Sequence, residues 1–100
     1  MRAPRLGIVL RQEDVEAHAG RLAALTERIA AAGIDHVTVG DHVSFAAGRG
    51  ADGLVQATAL LCSHPSLPVE TGIYVITLRH PATVARQLAT ISASRSRPPR

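Results

Sequence analysis

His42 is the side chain in this sequence best suited to acid–base work. An imidazole titrates near neutrality and can give or take a proton. Asp41 stands beside it and can orient the ring. The plainer alternative is a histidine that closes a turn with Asp41, because an Asp-His pair by itself specifies little. Arg79-His80-Pro81 forms a second polar group. A guanidinium at Arg79 can hold a phosphate or another anion in a forked contact. His80 precedes a proline, which is the ordinary place of a helix N-cap. His36, His42, His64 and His80 have no i, i+4 helical spacing and no acidic cluster joins them, so no metal site is expected. Gly48-Arg49-Gly50 neither follows a strand nor opens a helix at once, so it is not a dinucleotide fingerprint. No nucleophile elbow, P-loop or kinase pattern occurs.

Composition narrows the classes further. The chain has 100 residues, 46% hydrophobic and 19% charged, which fits one small globular domain. Phe45 and Tyr74 are its only aromatics, too few for stacking platforms on single-stranded nucleic acid. Every basic residue is an arginine, and the net charge is +3. Without Arg95, Arg97 and Arg100 at the end, the remaining Arg balance the Asp and Glu. A neutral body of this kind does not suggest a nucleic-acid face. The lone Cys62 excludes an internal disulfide and falls inside a predicted helix, where a small hydrophobe is its ordinary role. The apolar run Leu6–Leu10 is too short for a signal-peptide core or a membrane span, so a cytoplasmic protein is expected.

These side chains must be positioned by short elements. Leu6–Leu10 reads as a buried strand bounded by charge. Asp14 can cap a helix running to about Ala32, with Val15, Leu22, Leu25, Ile29 and Ala32 on one face. Gly33 stands where a helix-closing glycine belongs. His36–Val39 is a second strand that ends at Gly40-Asp41-His42. Residues 44–50 read as a loop. Asp52 can cap a second helix through about Ser63, which Pro65 and Pro68 forbid to continue. Val69–Leu78 is nearly continuous in apolar residues, as in a parallel strand buried on both faces. Pro81 fits the first turn of a third helix, whose stripe is Val84, Leu88 and Ile91. Strands alternating with helices predict an α/β fold with a parallel sheet and right-handed crossovers. The domain is expected over residues 1–93, followed by a disordered Arg/Ser/Pro tail over 94–100.

Three segments then acquire a common meaning. Ala31-Ala32-Gly33-Ile34-Asp35-His36-Val37-Thr38-Val39-Gly40-Asp41-His42-Val43 is the first. Asp52-Gly53-Leu54 is the second. The third is Thr71-Gly72-Ile73-Tyr74-Val75-Ile76-Thr77-Leu78-Arg79-His80-Pro81 with the helix that follows. In this order and spacing they resemble the bacterial luciferase-like flavin- and deazaflavin-dependent oxidoreductases, over roughly residues 5–92. The sequence departs from the family at Thr38, where an aromatic is common, and at Gly53, where a proline is common. After Ile91 the pattern stops, which looks like a frameshift or an early stop.

The resemblance implies three consecutive βα units of a (β/α)8 TIM-type barrel, with an incomplete parallel sheet and a site at the C-terminal ends of the strands. It implies that His42, with Asp41 orienting it, takes part in proton transfer or substrate contact beside the cofactor ring. It implies that Gly72-Ile73 is a non-prolyl cis peptide in a bulge behind that ring, the alternative being an ordinary strand glycine. Gly72, Ile73, Arg79 and His80 are then the candidate cofactor contacts, with Arg79 toward an anionic tail. The implied cofactor is flavin mononucleotide or a deazaflavin coenzyme, used for hydride transfer or monooxygenation of a small-molecule substrate. With most of a barrel missing, the chain alone is expected to be inactive and to need no cofactor. The competing expectation is a small non-enzymatic α/β module. In either case the open strand edges invite a homo-oligomer or aggregation, and neither nucleic acid nor membrane is an expected partner.

Overall fold

The structure is a computed structural model, and it describes residues 3–43 and 50–95. The three apolar runs form β1 (Gly7–Val9), β2 (His36–Val39) and β3 (Val69–Thr71). They pair in parallel in the order β1-β2-β3. Between them lie α1 (Gln12–Val15), α2 (Ala19–Ala31) and α3 (Gly53–Ser63), and α4 (Pro81–Arg95) follows β3. The architecture is mixed α/β, with parallel strands in an open sheet alternating with helices, consistent with part of a (β/α)8 barrel. Among the described residues no helix is long and apolar enough to cross a membrane.

Alternation along β2 divides the sheet into two unlike faces. Val37 and Val39 are fully buried and share one core with Leu22 and Ile29 of α2 and with Ala57 and Leu60 of α3. Same-handed crossovers between neighbouring parallel strands put both helices on that side. The opposite face is bare. It carries Val9, Thr38 and Glu70 in register, with His36 one step back lying over Gly7. His36 Nε2 meets Glu70 Oε2 at 3.5 Å. Val9 is 73% exposed although it is a β-branched residue in a strand.

Local chemistry explains where the elements start and stop. Gly33 closes α2 with φ +82, the left-handed region in which a Cβ is penalised. Asp52 caps α3 as expected, its carboxylate accepting from Val55 N–H at 3.0 Å. The single helix expected from Asp14 to Ala32 is instead two. Asp14 lies inside α1 and accepts from the Arg11 N–H, and the break comes at His18. His18 is extended, and its Nδ1 accepts from Arg21 N–H, so a capping bond replaces a helical one. Gly20, a poor helix former, is the second residue of α2.

Two boundaries move at the other end. The strand expected over Val69–Leu78 ends at Thr71, and the chain passes through a cis Gly72-Ile73 peptide into a 3-10 turn at Ile76–Leu78. Continuous apolarity had suggested burial on both faces, but Ile73 is 84% exposed and Leu78 65%. Ser94 and Arg95, expected in the tail, complete α4. Arg95 donates to the carbonyls of Leu67 at 2.7 Å, His64 at 3.2 Å and Pro65 at 3.4 Å. Residues 96–100 of the expected tail and 44–49 of the expected loop lie outside the described residues. Of the expected stripe on α4, Val84 is buried, Ile91 half-buried and Leu88 half-exposed.

Candidate active site at the strand ends

The C-terminal end of β2 turns into Gly40-Asp41-His42, where each residue is pinned by a different neighbour. The Gln56 side chain of α3 donates to the Gly40 carbonyl at 3.0 Å. The His42 N–H donates to the Ala51 carbonyl at 3.0 Å. The His42 ring is left exposed and lines a hollow of about 320 Å3 with Val9, Leu10, Gln12 and Gln56. Gln12 closes part of that hollow by accepting from Gly50 N–H at 2.7 Å. A proton donor or acceptor at the His42 ring is therefore open to a bound molecule at the sheet's C-terminal end.

Asp41 faces the other way. Its side chain has no exposed surface. One carboxylate oxygen accepts from Gly53 N–H at 2.7 Å and from Arg79 Nη2 at 2.7 Å. The other accepts from Val75 N–H at 2.7 Å and from Arg79 Nη1 at 2.5 Å. The approach of α3 is so close that a Cβ on Gly53 would sit 2.8 Å from the Asp41 Cβ, so a larger residue there would force Asp41 or the start of α3 to shift. The forked hydrogen bond from Arg79 holds the Asp41 carboxyl down to about 2, against the opposing push of burial, with the Val75 and Gly53 N–H groups adding to the depression. All four bonds go to Gly53, Val75 and Arg79. Asp41 was expected to orient His42, and it does not bond that ring, because its acceptor positions are already filled.

Arg79 was expected to meet an anionic tail, and the structure gives its fork other work. It grips Asp41 with both terminal nitrogens and reaches Asp52 at 3.0 Å and the Val75 carbonyl at 3.0 Å. Its guanidinium carbon lies 4.1 Å from the centre of the Tyr74 ring. The hydrogen bond to Asp41 comes first in pushing the Arg79 pKa above its ordinary value. Partial burial raises that of the Tyr74 phenol. His80 Nδ1 accepts from Ala82 N–H at 3.2 Å, the geometry of a helix cap.

Asp41, His42, Arg79 and His80 thus come to the same end of the sheet, with Gly72-Ile73 leading into it. Gly72 N–H donates to the Val39 carbonyl at 2.9 Å, which keeps the segment beside β2 after β3 has ended. Tyr74, Asp52 and Gln56 were not singled out as site residues. The opposite charges of Asp41 and Arg79, each just past the end of a strand expected from sequence, are the available signal for the ion pair. Among the described residues no group of three or more His, Cys, Asp or Glu could hold a metal ion.

The residues present suit one side of a planar ring. Val9 and Thr38 offer surface on the bare face, Gly72 lies against Thr38 with the exposed Ile73 next in the chain, and His42 lines a hollow with Val9. They do not suit a phosphate, because the expected cation is committed to two carboxylates. No curated protein and no solved structure matches the chain. A family model described as luciferase-like monooxygenase matches residues 5–94. That span takes in the three strands, the strand-end turns and all but the last residue of α4, and the chain belongs to the luciferase-like monooxygenase family.

Proposed function

We propose that this chain supplies the first three βα units of a flavin- or deazaflavin-dependent oxidoreductase site, and that it is inactive alone. The observation that carries the reading is the exposed His42 ring at the C-terminal end of β2, within a family match that covers residues 5–94. Such barrels keep their chemistry at that end of the strands. When bound, a reduced flavin would supply a hydride or activate oxygen, and a reduced deazaflavin would supply a hydride. His42 holds or moves a proton at its ring nitrogen, and Ile73 with Val9 walls one side of the ring. The phosphate or acidic tail is held by residues outside these three units, since barrels of this kind frequently bind phosphate after strands seven and eight.

Affinity follows from that division. A ligand touched on one side buries too little surface to bind tightly. Titration of the isotope-labelled chain with flavin mononucleotide, and separately with the deazaflavin coenzyme, should shift the NMR signals of His42 and Ile73. Saturation is expected only well above the micromolar range. Micromolar stoichiometric binding with turnover would overturn the proposal of a piece that is inactive alone. Shifts confined to residues away from His42 and Ile73 would overturn the site.

The same openness supports self-association. Val9 is 73% exposed on an edge strand, and bare parallel edges accept further strands. A second reading, a non-enzymatic α/β module joined through these edges, rests on that exposure and predicts association with no flavin shift at all.

A further inference from the structure

We infer that Asp41 is a positioning residue that fixes the Gly72–Val75 segment across the end of β2 and so sets where Ile73 stands. The inference rests on the functional reading above for its use, but not for its evidence. The segment is tied at two points to β2 and its turn. Gly72 N–H is held by the Val39 carbonyl at 2.9 Å, and Val75 N–H by the Asp41 carboxylate at 2.7 Å. Between those ties Ile73 has 84% of its surface exposed, so packing does not hold it. Its position depends on the two anchors.

Arg79 closes the second anchor into a loop. It bonds the Asp41 carboxylate and the Val75 carbonyl, so both polar groups of Val75 end in the same ion pair. It also lies over Tyr74, the residue between Ile73 and Val75. The carboxylate has a second tie, to Gly53 at the first turn of α3. Asp41 therefore joins β2, the segment after β3 and the start of α3 at one atom group. A group with this many partners cannot shift without breaking several hydrogen bonds, which is how a supporting residue keeps a contact residue in register.

Hydrogen exchange on the whole chain, without any cofactor, separates this role from a general contribution to stability. In Asp41→Asn the Val75 amide should exchange about ten-fold faster or more relative to the Val37 amide of β2, since an amide that loses a charged acceptor opens locally. Tyr74 is the sole tyrosine and there is no tryptophan, so its fluorescence reports the same segment, and acrylamide should quench it more strongly in the variant. Arg79→Lys keeps the charge but not the fork and should give a smaller change in the same direction. It also serves as the measured variant if Asp41→Asn does not fold. Equal acceleration of Val75 and Val37, or no change at either, would overturn the inference. A wild-type chain that shows no flavin-induced shift would remove the functional reading and leave the exchange ratio to decide the positioning role.

Discussion

A carboxylate with no exposed surface that accepts from two backbone N–H groups and a guanidinium is costly to protonate. Asp41 sits at about 2 in the folded chain, against 3.8 for the ordinary carboxyl. A depressed carboxyl contributes stability that is fully present above its unfolded value and is lost as pH falls through its folded one. The fall in stability between roughly pH 4 and pH 2 is therefore expected to be shallower in Asp41→Asn, as followed by denaturant melts across that range. At neutral pH the variant should be less stable by about 2 kcal/mol, because Gly53 and Val75 N–H lose a charged acceptor. An unchanged acid limb in the variant would place the titration elsewhere. His42, one residue on, is bonded among the described residues through its backbone N–H and is exposed, so neighbours in sequence do opposite work.

Among the elements, those whose signals are local were legible from sequence. Asp52, Gly33 and the β-branched run His36–Val39 mark their boundaries by capping, by positive φ and by side-chain stiffness. Boundaries set by distant partners were not legible. β3 ends at Thr71, in register with the end of β2 at Val39, and beyond it Asp41 takes the Val75 N–H, a capture that nothing in Val69–Leu78 itself announces. The same limit applies to the site. The strand-end placement of Asp41, His42, Arg79 and His80 could be read from βα order, but the commitment of Arg79 to Asp41 and Asp52 depends on how two turns meet. α4 gives a further case, since Arg95 was assigned to a tail by composition and anchors the helix by reaching three carbonyls of the turn before β3. Arg95→Ala should lower stability by about 1 kcal/mol, whereas removal of residues 96–100 should change it by less than about 0.5 kcal/mol. Thermal melts of the two variants side by side check this, and a larger loss from the truncation would contradict it.

At the level of the whole molecule, the described residues form an open parallel sheet with β1 and β3 as edge strands and one face away from the helical core. Sedimentation should show an average mass that rises with concentration. Val9→Arg places a charge on the β1 edge and should move the chain back toward monomer at the same concentration, as edge charges do. A chain that stays monomeric over the accessible range would argue that the edges are already blocked. The uncovered face itself is mixed in character. His36 and Glu70 meet across it and Thr38 stands beside Glu70 in register, where a fully dry layer would carry only aliphatic side chains. The Glu70 carboxylate, the His36 imidazole beside it and the Thr38 hydroxyl let this face stand in water, while Val37 and Val39 are enclosed on the helical side.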